Sequence, residues 1–145
     1  MRGILGIHPG WGITAVRVAM ALVLIMAGWG KMTAGVATVT GNFEKMAIPM
    51  PGIAGPFIAI LELVGGALLL LGIAGRWLGF LYTVEFAVAF FYVKLPPGFL
   101  GARLDLMLLA GGLLIFLAGS GKVAVDSLWL EKENRLRSRM MERAA

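Results

Sequence analysis

Residues 58–76 read IAILELVGGALLLLGIAGR, an apolar run long enough to cross a bilayer, broken by a single carboxylate at Glu62. A charged side chain near the centre of a membrane helix costs roughly 2.5–3.5 kcal/mol even on insertion scales. Glu62 is therefore a packing device or part of a site, and the rest of the chain decides between them. The 145 residues are 59% hydrophobic and 14% charged, whereas soluble domains are about 45–50% apolar and about 25% charged. Four apolar runs approach or reach the roughly 17–25 residues that span a bilayer. Together they use most of the chain and leave no room for a soluble catalytic domain.

There is no cysteine, which excludes disulfide exchange, thiolate nucleophiles, Fe–S ligation and thiolate zinc sites within the chain. The net charge of +5 does not point to nucleic acid. The basic residues gather at one membrane face and in the C-terminal tail, where attraction to anionic lipid accounts for them. Arg2 and a long first apolar run without a small-residue cleavage site predict an uncleaved first span.

The spacing predicts a first span from about Ile13 to Met32, after HPGWG (8–12). Next comes a loop of about two dozen residues containing TGNFEKMAIPMPGIAGP (40–56), too rich in Gly and Pro for a continuous helix. Pro56 suits the first turn of a second span that continues to about Ala74. The third span covers about Trp77 to Val93 and stops at LPPG (95–98), because proline cannot continue the hydrogen-bond ladder. The fourth runs from about Ala102 to Ala118. In lipid these spans must be helices, and short connections favour an antiparallel four-helix transmembrane bundle. Gly65-Gly66 and Gly111-Gly112 suit close helix contacts. The fold class expected is all-α membrane, with residues 1–128 as the transmembrane domain. Residues 129–145 are expected to form a basic tail, an interfacial amphipathic helix with Asp126 as its N-cap.

Four spans place both termini and the Arg76 turn on one side. That side holds nine of the thirteen basic residues, which predicts cytoplasmic termini. With this topology the ionisable groups can be ranked by depth. Glu62 is expected about 9 Å into the second span, Glu85 near the middle of the third, Asp105 one turn into the fourth, and Lys31 at the end of the first. Lys94 and Arg103 stand at the mouth of this cluster. Helical spacing groups Glu85, Val88, Ala89 and Tyr92 on one stripe, bringing the Tyr92 phenol toward the outer end. An intramembrane acid is a functional candidate by default. Each group also has a plainer use: Lys31 can snorkel, Asp105 can serve a helix dipole, and a Glu–Lys pair can hold helices together.

Arg17 and Arg76 are expected to contact headgroups. His8 is a lone interfacial histidine. The nine methionines follow no metal-ligand period and read as gap fillers. No metal, haem or Fe–S group is expected.

The order of GWGKM (28–32), MAIPMP (46–51), LELVGGALLLLGIAGR (61–76), an acid early in the fourth span and GSGKVAVDSL (119–128) resembles the DoxX family of small four-helix membrane proteins. The resemblance implies a multi-pass protein of the bacterial inner membrane tied to redox chemistry. Members of that family include quinone-reducing subunits of thiosulfate oxidation and components of oxidative-stress complexes. By position it draws attention to Lys31, Glu62, Arg76 and Asp105. The chain departs from the family pattern in two places. Asp105 stands where a glutamate is more usual, and Tyr92 or Lys94 stands where the third span often has a histidine.

What the resemblance implies can be cast in residues. Glu62, Glu85 and Asp105 are the candidate catalytic acids, and Lys31, Tyr92 and Arg103 the candidate quinone-binding groups. A quinone needs an apolar slot, a donor for a carbonyl and an acid that delivers protons. Lys31 or Tyr92 fits the donor role, and Glu62 with Glu85 fits the relay. Electrons would come from a redox partner subunit or a small reductant. The expected partners are membrane lipids and a redox subunit or a second copy of the chain. The competing readings are a non-catalytic assembly subunit, and a small transporter or lipid-binding bundle.

Overall fold

The structure is a computed structural model that describes residues 9–126 and 140–141. Helix α1 spans Gly10–Ala34 and ends at Gly35, whose positive φ of 86° redirects the chain. Helix α2 covers Val36–Lys45, inside the segment expected to be loop. A ten-residue helix does not hold by propensity alone. Tertiary packing supports it, with Val39 buried against Gly55. Met50 adopts a left-handed conformation and Pro51 then opens α3 (Pro51–Leu71). This start lies five residues before Pro56, which sits inside the helix and not in its first turn. Proline is tolerated there because neighbouring helices can satisfy the freed backbone groups.

Helix α4 (Gly75–Lys94) and helix α5 (Phe99–Ala118) complete the set. Helices α1, α3, α4 and α5 are each long and apolar enough to cross a membrane, and no strand occurs among the described residues. The protein is a multi-pass, all-helical membrane protein whose outer faces meet lipid. The expected tail helix lies outside the described residues, apart from Met140 and Met141.

Two close pairs build the bundle. Gly28 of α1 rides so near α3 that a Cβ would come within 2.8 Å of Leu63 Cα, and further along Gly66 lies against Leu24 and Ile25. Residue numbers fall along α1 as they rise along α3, so this pair packs in opposite directions. On the other side, a Cβ at Gly79 of α4 would lie 2.6 Å from Phe116 N of α5. The pairs join through α1 and α5, where Gly111 contacts Met20, around a core that includes Leu24, Leu69, Tyr82, Phe86 and Ile115. In contrast, α3 and α4 make little close backbone contact beyond their shared turn and meet through side chains, with Leu78 and Tyr82 of α4 against Gly65 of α3.

Among the described residues, the backbone groups held by the Asp126 carboxylate lie at the start of α4, and the tail it was expected to cap lies outside them. The carboxylate accepts hydrogen bonds from Ala74 N and Gly75 N at 3.0 Å each and from Ser120 Oγ at 3.0 Å, so it caps α4 from fifty residues away. Those first N–H groups have no partner within their own helix, and a nearby anion satisfies both them and the helix dipole. Arg17 departs from expectation. It is buried, 2% exposed, and donates to Val123 O across Gly72, so it ties the chain after α5 into the bundle and does not reach the headgroups. Its Nε and Nη1 have no hydrogen-bond partner among the described residues.

Candidate functional site

Both α3 and α4 depart from regular α-helix where the ionisable residues cluster. Leu61–Gly65, the turn carrying Glu62, is π-helical, and so is Ala89–Lys94. A π-turn inserts one residue into the i→i−4 ladder and leaves a carbonyl short of its usual donor. Tyr82 Oη donates to Leu61 O at 2.8 Å, across the gap between the helices. Tyr82 is fully buried, and Gly65 makes room for it, since a Cβ there would lie 2.5 Å from the phenol oxygen. Sequence reasoning missed Tyr82. Its place three residues before Glu85, on the same helical face, was the available signal.

Glu62 is 4% exposed and forms an ion pair with Lys31, which comes from the last turn of α1. Glu85 sits beside it, within reach of the same lysine and of Asp105. The Oε2 atom of Glu85 is buried with no hydrogen-bond partner among the described residues. Lys31, Glu62, Glu85, Lys94 and Asp105 all line one cavity of about 590 Å³. Its remaining walls are apolar and aromatic, with Phe43 from α2, Phe57 from α3, and Phe80 and Phe86 from α4. Gly28, packed on Leu63, stands six residues before the end of α1, so Glu62 lies about 9 Å inside that end of the bundle.

Two predicted binding residues do not reach the cavity. Tyr92 is exposed, and its hydroxyl faces Ala47 O at 3.4 Å. The π-helical end of α4 rotates it off the stripe that regular spacing assigned, so that Val93 and Lys94 line the cavity in its place. Arg103 is exposed as well, because two residues along a helix place it nearly opposite Asp105. Arg76 lies at the far end, exposed, beside a second depression of about 920 Å³ that Trp77, Lys122 and Asp126 also line. This is the larger space, but its carboxylate is committed to capping α4 and none of the intramembrane acids reaches it. His8 lies outside the described residues.

Cations, carboxyls and aromatic walls converge between the spanning helices, in a cavity of the size and lining usual for small-molecule sites. Fold and site together define a small multi-pass membrane protein with an ionisable intramembrane cavity. The DoxX family model matches residues 12–95, and the chain belongs to the DoxX family. It is 32% identical to the inner membrane protein YqjF of Escherichia coli over 83% of this chain and 94% of that one. It is 31% identical to the Bacillus subtilis protein named "Putative oxidoreductase CatD", over 79% of this chain and 84% of that one. An uncharacterised membrane protein of Mycobacterium tuberculosis is 27% identical over 79% of this chain and 78% of its own length. No solved structure gives a significant match.

Proposed function

We propose that the protein is a quinone-linked oxidoreductase of the bacterial inner membrane, or the membrane subunit of a redox complex. The observation that carries this reading is the Lys31–Glu62–Glu85–Asp105 constellation in an apolar, aromatic-walled cavity between the spanning helices. The oxidoreductase name of the Bacillus relative and the inner-membrane name of the Escherichia relative support it. A bound quinone would supply a two-electron, two-proton acceptor. The residues fit such a head: the cavity walls take an apolar ring, and the buried Glu85 Oε2 awaits a polar partner.

Lys31 holds Glu62 in place and offers ammonium protons to a carbonyl. Glu62 and Glu85, side by side, hold and pass protons, and Asp105 extends the chain of carboxyls toward the end of the bundle near α2. The aromatic walls exclude water from these transfers. Electrons arrive from a partner redox subunit. In this reading the termini are cytoplasmic and α2 faces the outside, so a reporter fused after Ala145 is active only in the cytoplasm and one inserted near Asn42 only outside.

The deciding experiment compares Glu62→Gln with Glu62→Leu for folded abundance and for quinone binding and reduction in membranes. Gln keeps the size of the side chain and loses the titrating proton. A folded but inactive Gln variant supports the proposal, whereas a fully active one leaves Glu62 as a packing device. An assembly subunit is the second reading. It is favoured by the Lys31–Glu62 pair itself, which binds α1 to α3, and it predicts that any loss of activity tracks loss of folded protein.

A further inference from the structure

The cavity opens sideways. Helices α3 and α4 meet near their turn and at the Tyr82–Leu61 hydrogen bond, whereas Pro51–Ile60 of α3 makes little close backbone contact with α4. Phe57 on α3 and Phe80, Val84 and Val88 on α4 line the cavity, yet each is about half exposed on the outer surface of the bundle. At that depth the surface faces hydrocarbon. Toward the aqueous side the cavity has a roof: Phe43, Met46 and Ile48 of α2 and its connection line it. Val39 seats α2 on α3, 3.2 Å from where a Gly55 Cβ would be. A polar solute from water would have to pass this apolar roof, whereas a molecule already dissolved in the bilayer meets an opening walled by Phe and Val.

We infer that the cavity is loaded from the bilayer through the gap between α3 and α4, by a lipid-soluble molecule with a compact polar head and an apolar body. Depth selects the head. The acids lie about 9 Å inside the end of α1, level with Gly28 and under the α2 roof, where a bulky charged phospholipid headgroup does not fit and a neutral ring-sized head does. The apolar body then stays in the gap, against Phe57, Val84 and Val88. This deepens the reading of the site given above and rests on it for the chemistry of the head; the route itself rests on the geometry alone.

The test uses the full chain in vesicles of phosphatidylethanolamine and phosphatidylglycerol containing a phospholipid with a mid-chain diazirine. Light-generated labels are mapped by mass spectrometry. The expected result is labelling of Glu62 and Glu85, the acids inside the cavity. Filling the gap with Val84→Trp, or independently Val88→Trp, cuts that labelling by about tenfold, a population ratio worth about 1.4 kcal/mol. Labelling of Met26 on the lipid face of α1 stays unchanged in both variants and reports that they remain folded. Glu62 and Glu85 left unlabelled by the lipid probe overturns the inference. So does labelling that persists in both tryptophan variants, or labelling of the acids by a water-soluble diazirine instead. A benzoquinone with a decyl tail is then added as competitor. Failure to displace the label refutes the quinone reading and leaves the lateral route standing.

Discussion

Replacing Lys31 by methionine removes the ammonium that pairs with Glu62 and leaves three carboxyls in the cavity, with Lys94 the other cation lining it among the described residues. Breaking a buried pair from one side costs about 3–5 kcal/mol, because the remaining charge loses its compensation. Coulomb's law gives the same scale, about 4 kcal/mol for charges about 4 Å apart at an effective dielectric constant near 20. Against a total stability of about 5–15 kcal/mol, that is a severe loss. The reverse deletion, Glu62→Leu, is milder, about 1–3 kcal/mol, because Lys31 still has Glu85 within electrostatic reach. The double variant Lys31→Met/Glu62→Leu removes both charges and is less destabilised than Lys31→Met alone, which gives a coupling energy of about 2–3 kcal/mol. The assay is unfolding of the purified variants in mixed micelles, monitored by tryptophan fluorescence. A Lys31→Met variant no less stable than Glu62→Leu, or a coupling below about 0.5 kcal/mol, would refute the account of the pair as a buried clamp between α1 and α3.

Three further outcomes rest on the same geometry. Tyr82→Phe leaves Leu61 O without its donor between the helices and costs about 1–3 kcal/mol; infrared spectroscopy of an isotope-labelled Leu61 carbonyl shows the lost hydrogen bond. Gly79→Ala pushes a methyl into the α5 backbone beside Phe116 and costs about 1–3 kcal/mol, while Gly12→Ala, with nothing within 4 Å, changes stability by less than about 0.5 kcal/mol; the same micelle titration compares them. Asp126→Ala strips two N–H groups of α4 of their acceptor and costs about 1–2 kcal/mol, and hydrogen exchange at Ala74 and Gly75 rises with it.

The four spans were legible in the sequence because a membrane helix is specified locally. Each needs about twenty apolar residues and a breaker, and the runs ending near Ala34, Leu71, Lys94 and Ala118 supply both. That Lys31, Glu62, Glu85 and Asp105 lie within reach of one another was legible too, since rise per residue converts position into depth. Rotation about each helix axis was not. Tyr92 was misassigned because the π-helical end of α4 adds a residue to the turn, and that extra residue is tied to the packing of neighbouring helices and carries no marker in the local pattern.

Partners far apart in sequence were equally hidden. Asp126 reads as the cap of the tail immediately after it but satisfies Ala74 and Gly75. Arg17 reads as a headgroup contact but is buried against the segment after α5. Helix α2 forms because Val39 finds Gly55, which no window of sequence around α2 contains. Hydrophobicity and helix length are properties of one segment at a time, so the chain itself determined how many helices cross and which ionisable groups they carry. Helical phase, caps supplied from a distance and the gap between α3 and α4 depend on how the segments meet, and only the tertiary structure decided them.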